Sequence, residues 1–503
     1  MIDGLSSAFA DLMTWPSPLY LLLGVVVGLV VGVLPGLGGG GAMALLIPFT
    51  FAMEPSHGIA FLMAVGATSG IGGQVSSILI SVPGDPPNAA TTIDGFAMTK
   101  QGKAAEAMGA ATFGSVFGAT IGMVLMLAVL PFAREFVLAF SYPEFFMLAL
   151  TGLVLVSRLT GDSVHKGLIA AAAGLMVAFV GLDPVNGNPR FTFESLYLWD
   201  GVDIVPVLIG LFAGAELLAL FSHRGEQGLA AAPPGGEASR VMDGFRATVR
   251  HWRVVVTSSV IGFGAGIVPG ISGTLAAFVA YGQAARSSRH PERFGKGAVE
   301  GVIAPETAND ADKGGGLLPT LAFGIPGGVI MAVLLSGLLV HGVPAGPNLL
   351  RGDLHIVYVL VVAAFLPRLL AAGIVLLLGM KATVLTRIRG DILAPAIAAV
   401  TLLSVYALRN EPLDVVLTLI FCYVGYAMER FGFSRLTFII ALVLGGLFES
   451  SYHQTMTTFG ASGFVTRPIA LALLAVAVLA LFGPPVARRL RRKPAPADVE
   501  VAR

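Results

Sequence analysis

Four apolar stretches of this chain, 19–53, 58–82, 254–282 and 316–343, are long enough to reach across a bilayer, and each is cut by Gly and Pro. A spanning helix needs about 20 apolar residues. Pro removes a backbone donor and crowds the preceding turn, while Gly permits dihedrals other residues avoid. Irregular backbone at membrane depth survives only where it is buried in protein or lines a wet cavity. The breaks therefore ask for helices that stop and restart inside a bundle. Uninterrupted spanning candidates lie near 108–131, 145–158, 167–182, 203–222, 354–380, 392–408, 413–428, 435–448 and 468–483. Together the stretches predict an all-α polytopic membrane protein of about 10–12 transmembrane helices, with inverted repeats and broken or re-entrant helices.

Composition agrees. The 503 residues are 55% hydrophobic and 12% charged, about half the usual charged fraction, too little to cover a water-facing surface. A net charge of +1 gives no footing for nucleic acid. The single cysteine, Cys422, excludes a disulfide framework and a Cys-based zinc site. The amino-terminal MIDGLSSAFADLMTW has no Lys or Arg; it lacks a signal-peptide n-region, so the first segment is expected to be retained. The longest polar interruption, 223–253, carries Arg224, Arg240, Arg246, Arg250 and Arg253 around a PPGG centre. It reads as a cytoplasmic linker, like the basic end ARRLRRK, and the Lys/Arg-free amino terminus is placed outside. The expected organisation is a first membrane half (1–222), a linker (223–253), a second membrane half (254–487) and a basic tail (488–503).

The interruptions repeat. GVLPGLGGG contains Pro35 and Gly36, and GIVPGISGT contains Pro269 and Gly270. Further on, GGQVSSILISVPG runs from Gly72 to Gly84 and GGLLPTLAFGIPG from Gly315 to Gly327. The two motif pairs occur in the same order, 48 residues apart in one half and 57 in the other. An outside amino terminus before the first copy and a cytoplasmic linker before the second imply insertion from opposite faces. Inverted repeats of this kind hold their solute near the midplane, where broken helices meet.

A half-helix that restarts after Pro-Gly offers unpaired N–H groups and a partial positive charge, which suit a carboxylate. The segments after the breaks are polar. Residues 83–109 hold Asp85, Asn88, Thr91, Thr92, Asp94, Lys100 and Lys103. Residues 293–316 hold Lys296, Glu300, Glu306, Thr307, Asn309, Asp310, Asp312 and Lys313. A solvated loop explains such residues equally well, but their place beside the repeat motifs also suits oxygen ligands or proton-carrying carboxylates. Glu144, Glu216, Arg368 and Glu449 stand alone in apolar runs. Glu144, just after Tyr142-Pro143, suits a helix start. The eight histidines show no metal-ligand spacing, and no metal or cofactor is expected.

Enzyme motifs are missing or out of context. GLGGGG formally matches a dinucleotide fingerprint but lacks the strand–helix–strand setting, and no Walker A, G-x-S-x-G or H-E-x-x-H sequence occurs. The chain carries no ATP-driven motor of its own, which leaves secondary transport or a motor in a partner. An uncoupled channel, an intramembrane enzyme and a structural subunit are the rivals; the last would tolerate Leu at Gly36 and Gly270.

At these residues the chain resembles the large membrane subunit of the tripartite tricarboxylate transporters. GVLPGLGGGGAM, SILISVPGDPPNAATTIDGFAMTKQGKA, GLDPVNGNPRFTF, DGVDIVPVLIGLFAGAE, GIVPGISGTLAAF, HPERFGKGAVEGVIAPETAND and GGGLLPTLAFGIPG carry the likeness, which runs from about residue 20 to 485. It implies a bacterial inner-membrane importer of tricarboxylates or related organic acids, working with a small integral membrane subunit and a periplasmic solute-binding protein, and coupled to Na⁺ or H⁺. Substrate is expected at Gly36, Gly38, Ser272 and Gly273 through backbone amides and at Thr91, Thr92 and Asn309 through side chains. Asp94 or Glu306 is expected to carry the coupling ion. One stretch departs from the family pattern: after PETAN a further amide and small residues are expected, where Asp310, Asp312 and Lys313 stand.

Overall fold

A computed structural model of the chain describes residues 2–34, 38–159, 163–183, 186–215, 217–218, 240–271, 273–379, 398–399, 402–403, 405–407 and 409–491. The first half comprises α1 (Ile2–Met13), α2 (Ser17–Val33), α3 (Gly38–Leu46), α4 (Pro55–Ile80), α5 (Ala89–Lys100), α6 (Ala104–Leu138), α7 (Tyr142–Leu159) and α8 (Val164–Ala178). A two-stranded hairpin, β1 (Gly181–Leu182) and β2 (Pro189–Arg190), precedes α9 (Ile204–Leu208), which runs on into a π-helical turn, Ile209–Gly214. The second half comprises α10 (Val241–Arg250), α11 (Trp252–Ile267), α12 (Gly273–Ser287), α13 (Glu300–Phe323), α14 (Val329–Val340), α15 (Pro347–Gly352) and α16 (Leu354–Leu378). It ends in α17 (Pro412–Arg430), α18 (Arg435–Thr458), α19 (Gly463–Thr466) and α20 (Pro468–Arg491).

The chain is an all-α polytopic membrane protein. Among the described residues six helices are long and apolar enough to span a membrane, and α1 with α2, bent by 83°, makes up to seven. Shorter apolar helices at Gly38–Ala52, Val164–Ala178, Trp252–Ile267 and Val329–Val340 separate this number from a count of apolar stretches. The Arg-rich end of the expected linker is helical: α10 lies against α6, with Val241 beside Gly109 and Gly244 beside Ala110.

The two sequence repeats make the same contacts. A Cβ at Gly32 would strike the Ser69 carbonyl and Gly72, and one at the matching Gly266 the Asp312 carbonyl and Gly316. Gly72 faces the Leu29 carbonyl and Gly32, as Gly315 faces the Phe263 carbonyl and Gly266. Small residues thus let α2 lie backbone-to-backbone on α4, and α11 on α13, as close-packed membrane helices require. The ends match too. Ser81 after α4 and Gly324 after α13 are both left-handed, with φ of 60° and 70°. Each turns the chain into Pro-Gly, and Gly84 and Gly327 then pack on Gly32 and Gly266. The central helices α4 and α13 meet where Gly70 faces Asn309 and Lys313. Every residue of the apolar window of α4 is buried, so it has no lipid face.

Candidate substrate site

All four chain breaks reach one cavity of about 390 Å³. Its walls are Gly38, Gly40 and Gly41 from the first break and Pro83–Pro87 from the second. Gly266 and Gly273 come from the third, and Gly327–Met331 from the fourth. The first residues of α3, α12 and α14 all line it, so the positive ends of three helix dipoles converge there, and Asp85 accepts from the Gly39 amide at the start of α3. Gly38 sits at a φ of +58°, a conformation a residue with Cβ adopts only under strain. Phe212 from the π-helical turn and Arg435 at the start of α18 close the remaining side.

The helix α13 supplies the cavity's polar face: Asn309, Asp312, Lys313 and Gly316. The Lys313 ammonium donates to the Asn309 carbonyl and Oδ1, both at 3.2 Å, and to Asp310 Oδ1 at 2.9 Å. Behind it Arg368 of α16, fully buried, pairs with Asp310 at 3.1 Å. One buried carboxylate thus sits between two cations, the compensation that buried charge requires. Asn309 is 2% exposed and its Nδ2 has no partner among the described residues. Across the cavity Asp85 accepts from Ser69 Oγ at 3.2 Å.

A second polar layer lies outside the cavity lining. Glu306, buried, accepts from Asn88 Nδ2 at 2.9 Å, from the Thr91 hydroxyl, and from Ser115 at 3.5 Å. Gln74 and Thr112 extend this network at 2.8 Å. It ties α5 and α6 to α13 with neutral donors. Asp94 accepts from Tyr281 at 2.9 Å and from the amides of Gly297 and Ala298 at 2.7 and 2.9 Å. Its carboxylate therefore anchors α5 to the approach of α13.

Of the residues nominated from sequence, Gly38, Gly273 and Asn309 line the cavity. Thr91 is turned to Glu306, and the Thr92 hydroxyl donates to the Ala89 carbonyl at 2.7 Å. Glu306 and Asp94 stand in the layer behind. Gly36 and Ser272 lie outside the described residues. Asp85, Lys313 and Arg435 line the cavity without having been nominated. Repeat alignment would have found the first two, since both flank the motifs; Arg435 carries no local signal.

The isolated charges are paired. Glu144 accepts from the Ser141 amide at 3.0 Å, the helix-start role its position suggests, and from Arg467 Nε at 2.5 Å. Glu449 is bound by both ends of the Arg190 guanidinium, which also reaches Asp183 at 3.5 Å. Asp183, Glu449 and His453 form the one group with metal-ligand geometry among the described residues, but Arg190 already supplies the cation there. Glu216 lies outside the described residues. Between the hairpin and α9, Tyr197 donates to Asp414 at 2.5 Å, and burial with this acceptor raises its phenol above the ordinary range.

Paired helix breaks closing on one cavity define a polytopic membrane protein built on broken helices. The profile of the Tripartite tricarboxylate transporter TctA family matches residues 19–440. The chain belongs to that family. An Agrobacterium vitis protein, described as an uncharacterised 52.8 kDa protein in the TAR-I ttuC′ 3′ region, is 31% identical over 482 residues, covering 95% of this chain and 94% of its own. A second A. vitis protein, from the TAR-II ttuC′ 3′ region, is 31% identical over 217 residues, 42% of this chain and 89% of its own. No solved structure matches the chain.

Proposed function

We propose that this chain is the large membrane subunit of a binding-protein-dependent secondary transporter that imports tricarboxylates or related small organic acids across a bacterial inner membrane, driven by a Na⁺ or H⁺ gradient. The observation that carries the reading is the meeting of four breaks, two from each repeat, at one cavity that has a buried, unpaired amide donor. Gly38 and Gly273 would offer backbone amides to substrate carboxylates, with the Asn309 amide and the Lys313 ammonium beside them. Gly36 and Ser272 stay with this set by their place in the repeat motifs. Thr91 and Thr92 are read as support for α5. Asp94 and Glu306, nominated for the coupling ion, are read as a frame that fixes α5 and α6 to α13. A periplasmic solute-binding protein would deliver the acid, and a small integral membrane subunit would complete the complex. The two repeats, inserted from opposite faces, would rock about the cavity.

The test is uptake of labelled citrate and other organic acids into proteoliposomes holding this chain, its small membrane partner and the binding protein. Accumulation above equilibrium that requires both the binding protein and an imposed Na⁺ or pH gradient supports the reading. Uptake that stops at equilibrium would instead make the chain a facilitator, and no uptake of any acid would end the transport reading.

A further inference from the structure

The repeats place a carboxylate at the same point twice, from residues that do not correspond. Gly39 is the second residue of the restarted helix of the first half and Gly273 the first of that of the second, and the motifs align them. An ideal Cβ on Gly39 would lie 3.5 Å from Asp85 Oδ2 and against Ser69 Oγ. On Gly273 it would lie 3.1 Å from Asp312 Oδ2 and 3.0 Å from Asn309 Oδ1. Ser69 and Asp312 are equivalent in the repeat, as are Asp85 and Gly328. The first half therefore carries its acid on the break and a hydroxyl on the central helix, and the second carries its acid on the central helix and a glycine on the break. Inheritance of one ancestral acid does not give this pattern. A requirement for a carboxylate beside each helix start does.

The charges around the cavity say what the acids are for. Asp310 is shared by Lys313 and Arg368, and Arg435 is engaged by Glu429 at 3.4 Å. Asp85 and Asp312 have no cation of their own within ion-pair distance among the described residues, and Asp312 Oδ1 is a buried atom without a partner. Asp85, Asp310 and Asp312 against Lys313 and Arg368, three acids and two cations, leave one negative charge. A substrate with several carboxylates would add to it in a protein interior, where uncompensated charge is costly. Asn309 lines the cavity, is 2% exposed, and has an Nδ2 without a partner among the described residues, a donor free for a carboxylate oxygen.

We propose that Asp85 and Asp312 form two repeat-related sites for monovalent cations, each filled by Na⁺ or H⁺ when the carboxylate substrate binds. This rests on the transport reading and adds its stoichiometry and the residues that set it. Each site holds a carboxylate beside the start of a broken helix, and the cation it takes up lowers the negative charge by one as a substrate carboxylate enters.

The experiment uses the reconstituted complex with labelled citrate, or whichever organic acid the wild type accumulates, and measures accumulation against imposed gradients with the membrane potential clamped. Two coupled cations let a tenfold gradient sustain about a hundredfold accumulation, and one cation about tenfold. Sodium gradients at equal pH and pH gradients without sodium separate the two cations. Asp85→Asn and Asp312→Asn are each expected to drop the limit from about a hundredfold to about tenfold. Ser69→Asp with Asp85→Gly gives the first half the arrangement of the second and is expected to restore the hundredfold limit. A limit unchanged in both single variants would overturn the proposal and leave transport standing, whereas a wild type that accumulates nothing would overturn the transport reading itself. If a single variant does not fold, the transplanted pair decides the matter: failure of that folded protein to exceed the single-cation limit rejects the proposal.

Discussion

At the scale of single residues, the departure from the family pattern resolves into a compensated pair. Asp310 and Lys313 are one turn apart on α13, within 2.9 Å, and Arg368 completes the cluster from α16. Removing the acid strands two buried cations, and breaking a buried pair costs about 3–5 kcal/mol. Asp310→Asn should therefore lower the thermal midpoint of the purified chain in detergent, and Asp310→Asn with Lys313→Met should recover part of the loss. No recovery in the double variant would contradict the pairing. The residues behind the cavity behave differently. Asp94→Asn and Glu306→Gln each weaken charge-assisted hydrogen bonds between helices, at about 1–3 kcal/mol, and should lower the midpoint while leaving cation stoichiometry at the wild-type value. A changed stoichiometry in either variant would return that acid to ion coupling. The sequence displayed all of these groups but not their partners. Arg368 lies 58 positions after Asp310 in an apolar run, where nothing local says which way a side chain turns; only the packing of α16 on the centre of the bundle does.

At the scale of elements, Pro and Gly spacing foretold the breaks and the repeat, because those residues act on their own backbone. The length of each fragment was less legible. A hydropathy window does not see that α3 or α14 stops after 9 or 12 residues, since apolar sequence continues past the irregular chain. Nor does it recognise α13 as a central helix, because the charges that satisfy one another inside the bundle look like a loop in one dimension. The glycine contacts yield a sharp expectation. At Gly315 an added methyl meets the Phe263 carbonyl and Gly266, and at Gly72 it meets the Leu29 carbonyl and Gly32. Backbone cannot swing aside as a side chain can, so overpacking of about 1–3 kcal/mol is expected for Gly72→Ala and Gly315→Ala alike. Gly282→Ala, where an added Cβ meets nothing within 4 Å, is the control. Thermal unfolding of the three variants checks it: equal losses at 72 and 315 with none at 282 are expected, and tolerance at either repeat position would remove the close helix contact.

At the scale of the whole molecule, the halves on either side of the PPGG stretch are not separate bodies. The walls of α13 come from both: Gly118 and Gly122 of α6 lie against the backbone of Thr307 and Ala311, while Gly262 and Gly266 of α11 lie against Ala308 and Asp312. Across the linker, α10 lies on α6, and Arg368 of α16 reaches the centre of α13. A half on its own would turn these small-residue faces and the charged groups of α13 toward lipid, where unpaired polar groups are expensive. The entropy of joining two ends through a connection grows only slowly with its length. A chain divided between Gly235 and Gly236 and expressed as two polypeptides should therefore reassemble. Affinity capture through a tag on residues 1–235 is expected to bring down residues 236–503 in equal amount, and the pair should unfold in one transition near that of the intact chain. Either piece expressed alone should fail to accumulate in the membrane. Stable accumulation of one piece without the other would show that each repeat half completes its own core, and the cavity would then be a seam between finished domains instead of the centre of a single interlocked bundle.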